Sequence, residues 1–98
     1  MSNVLLEWVN STPGPKQRPL AHTVLEARTD PSLAWGEVAV VDVPETERLL
    51  ADLAPGTWEF RATEVDDAGQ PSANQPTASI DLPFDPPSGV SVFTATLA

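Results

Sequence analysis

Few residues of this chain are of a type that does chemistry, and they are sparsely spaced. His22 is the one histidine and there is no cysteine. A zinc or copper centre needs several nitrogen or sulfur ligands, so it has nothing to assemble from, and His22 reads as a structural residue. Asp66 and Asp67, close to Gly69, offer the oxygen ligands that calcium prefers. The spacing and closing glutamate of a calcium loop are absent, so these residues read as a turn. Glu64 and Asp66 share one face if their segment is extended, as do Glu45 and Glu47. Paired carboxylates can work as acid and base, yet one small β-domain offers no deep cleft to hold a substrate between them. There is no G-x-S-x-G sequence and no glycine loop that would cradle a phosphate. The expectation is a protein without catalytic residues, metal or cofactor, and not an enzyme. Trp8, Trp35 and Trp58 could stack on sugar rings, but the placement of Trp8 and Trp58 suits a core. Trp35, at the start of an edge-side strand, is the candidate for surface contact, and a surface glycan is the ligand that would suit it.

The formal net charge of −9 argues against nucleic acid as a partner, because binding a phosphate backbone requires clustered Lys and Arg. All five basic residues lie at or before Arg61, and Glu64, Asp66, Asp67, Asp81 and Asp85 follow it with no cation to offset them. Such a surface keeps a crowded protein soluble and could also dock a basic partner. The opening "MSNVLLEWVN" has no basic segment, and Glu7 interrupts its apolar run, so it does not read as a signal peptide. No stretch is long and apolar enough to cross a bilayer, which leaves no expectation of a membrane partner. The lack of cysteine slightly favours an intracellular history, and the sequon Asn10-Ser11-Thr12 carries no meaning without secretion.

The elements that must position these residues are strands. Ninety-eight residues allow one domain with a modest core. Eleven prolines leave little room for helices, since each removes a backbone donor and fixes φ. Apolar residues recur with period two between Pro, Gly, Asn and Asp clusters, as in a β-sandwich. In "NVLLEWV" the alternating set Val4, Leu6 and Trp8 faces inward. "PGPKQRP" is a loop, "LAHTVLEAR" a strand, "TDPS" a turn and "AWGEVAVVDV" another strand. "TWEFRATEV" puts Trp58, Phe60 and Ala62 on one face, and "TASIDL" follows the turn-rich "DDAGQPSANQP". "PETERLLADLAPG" admits either a helix, with Pro first, acids in the first turn and Gly at the stop, or a strand.

The ordered set resembles a fibronectin type III module over most of the chain. Trp8 and "LAHTVL" match the core tryptophan and the strand that follows it, with Thr23 where an aromatic residue is usual. Trp35 and "LAPGT" (residues 53–57) stand at the family's separation, and "WEFRATEVDDAG" matches position for position. This correspondence favours a strand for "PETERLLADLAPG". The corner before Trp58 is one residue short, and it carries Trp where the family has a Tyr whose hydroxyl locks the corner; the indole N–H is the available substitute. Glu64 stands where a small apolar residue is usual, and the Arg-Gly-Asp tripeptide of some members is absent.

The largest departure lies at the ends. Family members carry a strand of about ten residues before the tryptophan strand, opened by Pro-Pro or Pro-x-Pro, whereas seven residues precede Trp8 here. The likeness to that opening strand is instead in "PPSGVSVFTATLA", residues 86–98. The chain resembles a circularly shifted module: an all-β antiparallel sandwich over residues 1–82 without its first strand, and a strand-like arm over residues 83–98. A connector of three or four residues spans at most roughly 10–14 Å, against about 20–27 Å for a strand of the sandwich. Self-completion is therefore difficult. The arm can enter a neighbouring subunit as its first strand, fold back as a hairpin on the preceding strand, or extend to a different partner. Val90, Val92, Phe93 and Leu97 are its candidate interface residues, and Val4, Leu6 and Trp8 form the acceptor edge. Either alternating set of the arm could face inward.

A cysteine-free module of this kind is similar to the small immunoglobulin-like and fibronectin-like proteins of tailed bacteriophage particles. That resemblance implies a structural virion protein, a head decoration or cement protein ahead of a tail component, assembled in the host cytoplasm. Its partners would be other copies of itself or the major capsid or tail protein. The alternative is a carbohydrate- or surface-binding fibronectin type III module.

Overall fold

The computed structural model describes residues 2–89 and 92–97. It contains β1 (Ser2–Glu7), β2 (Leu20–Arg28), β3 (Gly36–Asp42), β4 (Glu47–Leu53), β5 (Gly56–Asp66) and β6 (Thr77–Leu82), with no helix among the described residues. All pairings are antiparallel. β1 and β4 form a two-stranded sheet, and the other sheet has the order β3-β2-β5-β6.

The segment that admitted two readings is β4. Val4 stands opposite Leu50 and Leu6 opposite Arg48 in its ladder with β1. A short isolated helix is marginal in water, whereas pairing with β1 satisfies the backbone and turns Leu50 and Leu53 toward the core. Asp52 breaks the regular ladder with φ of 58°, and Asn3 Oδ1 accepts its backbone N–H at 3.1 Å. The left-handed turn is thereby held by a side chain from the partner strand.

The two sheets share one core. Val4, Ala27, Phe60 and Leu82, from β1, β2, β5 and β6, form its centre, with Leu6, Leu50, Leu53 and Trp58 packed around it. On β2 the buried residues Thr23, Leu25 and Ala27 alternate with half-buried ones, the period that a strand with one covered face imposes. Trp58 stacks on Phe60 with ring centroids 6.2 Å apart. Its indole N–H donates to the carbonyl of Ala54 at 2.9 Å, closing the corner that opens β5, where Gly56 takes a φ of 129°.

The acidic turn after β5 is self-contained. Asp66 Oδ1 accepts the backbone N–H groups of Ala68 and Gln70, both at 2.9 Å, and Gly69 supplies a φ of 80° that a residue with a Cβ adopts poorly. The Asp66 carboxylate is thus engaged by its own loop. Glu64 is also committed: it accepts the backbone N–H of Ser11 at 2.8 Å and the Ser11 hydroxyl at 2.7 Å. A carboxylate where the resemblance expects an apolar side chain therefore ties the loop after β1 to the larger sheet.

Candidate functional site

Among the edges that the two sheets leave open, that of β1 lies beside an apolar groove. β1 pairs with β4 along one side only, and among the described residues no strand pairs with its other side. The pairing with β4 runs one residue past β1, where the Trp8 N–H donates to the Thr46 carbonyl at 3.0 Å. An edge of free N–H and C=O groups is a ready template for another strand. Beside it the core is uncovered. A groove of about 120 Å³ runs between Leu6 and Trp8 on one side and Thr77 and Ala78 of β6 on the other, with Phe60 and Ala62 at its base. At the Trp8 end it adjoins a larger recess of about 430 Å³ bordered by Trp8, Ala62, Pro76 and the buried Thr23. Thr23 is short where the resemblance expects an aromatic ring, and the recess lies against it.

Of the three residues expected to form the acceptor edge, Leu6 and Trp8 line the groove and are half-buried, whereas Val4 is buried in the core with Leu82 and does not line it. The Trp8 indole N–H reaches Asn10 Oδ1 at 3.2 Å, so its polar end is satisfied while its ring lines the groove.

The direction of β1 relative to β6 is set by the same contacts. Val4 meets Leu82 in the core, whereas Leu6 and Trp8 line the groove with Thr77 and Ala78. β1 therefore begins at the pole where β6 ends, and the two strands run in opposite directions.

The arm leaves β6 at that pole. Residues 83–89 and 92–97 are exposed and form no strand, and Val92, Phe93 and Leu97 are 78, 90 and 99% exposed. Val90 lies outside the described residues. The molecule measures 84 × 27 × 15 Å. The longest strand, β5, has 11 residues and accounts for about 36 Å at the usual rise. The remaining length of the long axis is left to the residues that follow the end of β6. Its described residues pair neither with β6 nor with the chain's own β1.

Trp35, the expected surface contact, is half-buried immediately before β3. The guanidinium carbons of Arg28 and Arg61 lie 4.1 and 4.8 Å from its ring centroid. Arg28 pairs with Glu59 at 3.3 Å and Arg61 with Glu26 at 2.7 Å. This lattice covers the outer face of β2 and β5 and engages the π-face that a sugar would need. Sequence reasoning missed it, although a signal is present: Glu26 and Arg28, like Glu59 and Arg61, are charged residues two apart on the outward face of a strand.

Two loops carry perturbed groups. Arg18 is raised above its usual value by its hydrogen bond to Asp67 and by the charge of that carboxylate. Asp30 is lowered, first by the Ser32 backbone N–H and then by the Ser32 hydroxyl, both at 2.9 Å. Both are surface latches, remote from the groove. No protein-family model matches the chain, and no curated protein or solved structure is significantly similar to it.

Proposed function

We propose that this chain is a non-enzymatic structural protein that enters an assembly by β-strand augmentation, with the arm of residues 83–98 as donor and the β1 edge as acceptor. The observation that carries the reading is the pairing of two complementary defects in one molecule. An open edge stands beside an apolar groove, and an extended arm exposes Val92, Phe93 and Leu97. Strand addition relieves both at once, since it satisfies backbone groups and removes apolar surface from water.

The fibronectin type III-like reading belongs to this proposal. With β1 counted as the second strand, the β1–β4 pair and the neighbouring β2, β5 and β6 correspond to the B–E pair and the C–F–G sheet of immunoglobulin-type sandwiches. The first strand of that pattern, which would lie against β1, has no counterpart among the described residues. The context we propose is a tailed bacteriophage particle, with the chain as a head decoration or cement protein, or a tail accessory. Its partners would be like copies or the major capsid or tail protein. This context is supported by the resemblance of the sequence, and by the many equivalent neighbours that a symmetric shell offers to an arm of this kind.

The glycan-binding alternative requires Trp35 to release Arg28 and Arg61, and quenching of tryptophan fluorescence by glycans would favour it. The test of the main reading is solution mass and thermal unfolding with and without residues 83–98. The full chain is expected to form ordered multimers with a melting temperature that rises with protein concentration, and the truncated chain to lose both properties. A truncated chain equally stable and equally assembled would contradict the proposal.

A further inference from the structure

Strand augmentation leaves open whose strand fills the groove and in which direction it runs, and the geometry bears on both. Resting on the augmentation reading, we infer that the groove beside β1 takes the arm of a second copy of this chain. That arm enters at the Trp8 end and runs antiparallel to β1 toward Ser2, so that copies join head to tail.

Polarity comes first. The chain leaves β6 at the Leu82 pole, and the longest strand accounts for about 36 Å of an 84 Å long axis, which fits an arm that continues outward along that axis. β6 runs opposite to β1, because Leu82 packs on Val4 while Thr77 faces the Leu6–Trp8 end of the groove. A second copy in the same orientation, displaced along this axis, presents its Trp8 end to the arriving arm. The arm then passes along β1 in the antiparallel sense, which every other ladder of the protein also uses and which is slightly the more stable per residue. A reciprocal dimer turned by 180° would present the Leu82 end instead, and the arm would have to lie parallel to β1.

Residues 86–98 contain no ionisable side chain in a chain of net charge −9, so the joining segment adds no repulsion where two acidic bodies approach. The recess at the Trp8 end is the larger part of the site by volume, about 430 Å³ against about 120 Å³ further along, and it is the part that an arm of this polarity meets first. An arm that continues outward leads away from its own groove, so the nearest groove in its path belongs to the next copy. Such a contact is heterologous: it closes into a ring or grows as a polar filament, with one free arm at one end and one open groove at the other.

The absence of cysteine permits a direct test in the full-length protein. Copies carrying Val92→Cys or Leu97→Cys are mixed with copies carrying Ser2→Cys or Glu7→Cys, treated with a short bismaleimide, and analysed by mass spectrometry. Melting temperatures of the single variants establish that each is folded. Ser2 and Glu7 are about 17 Å apart along the strand, so the two polarities give opposite patterns. The expected products link Val92→Cys with Glu7→Cys and Leu97→Cys with Ser2→Cys, between chains. The reverse pattern would overturn the polarity and leave augmentation standing. Linkage confined to single chains, or no product at all, would overturn the second-copy assignment, while the truncation experiment separately decides whether the arm augments anything.

Discussion

Trp58 shows how one side chain can serve two tasks. It stacks on Phe60 and also donates from its indole N–H to Ala54 O, so it is both core and corner latch. Replacing it with Phe keeps a ring on Phe60 but removes the donor. Trp58→Phe is therefore expected to lower stability by about 0.5–1.5 kcal/mol, read as a reduced urea midpoint with an unchanged slope. An unchanged midpoint would mean that the corner is held by packing alone. Thr23 is the opposite case, a short side chain fully buried beside the recess. Both residue types are visible in the sequence. Their consequences, a hydrogen bond across the corner and a recess against a short side chain, depend on neighbours that only the fold brings close.

At the scale of elements, alternation of apolar residues and punctuation at both ends locate five of the strands, although on β6 Leu82 alone is buried. β4 is ambiguous for a physical reason. Its acids, its leading Pro44 and its closing Gly56 satisfy the rules for a helix, and only the partner strand β1 decides against one. The outer face of β2 and β5 is less legible still. Period two places Glu26, Arg28, Glu59 and Arg61 outward, but not the swing of Trp35 across them. That lattice belongs to the sheet and not to the groove. Trp35→Ala, which removes two cation–π contacts worth about 0.5–1 kcal/mol each at such a site, is expected to lower the melting temperature modestly. It should leave the concentration dependence of assembly unchanged. A loss of multimers in this variant would place the outer face, not the β1 edge, at the interface between copies.

At the scale of the whole molecule, Leu6 and Trp8 line one groove, Val4 is buried in the core, and the described arm residues Val92, Phe93 and Leu97 are exposed. The direction of the arm is beyond the reach of sequence, since it depends on where β6 ends relative to β1. That relation joins the two halves of the proposal: a body whose β1 edge is uncovered beside the groove, and an extension that carries no ionisable side chain from Pro86 onward. The measurement that bears most directly on it is amide hydrogen exchange along residues 2–8, in the full-length protein at assembling concentration and in the protein truncated after Leu82. Strand addition predicts that the β1 amides pointing away from β4 are protected in the full-length protein and exchange freely once the arm is removed. Equal exchange rates for those amides in both proteins would contradict it.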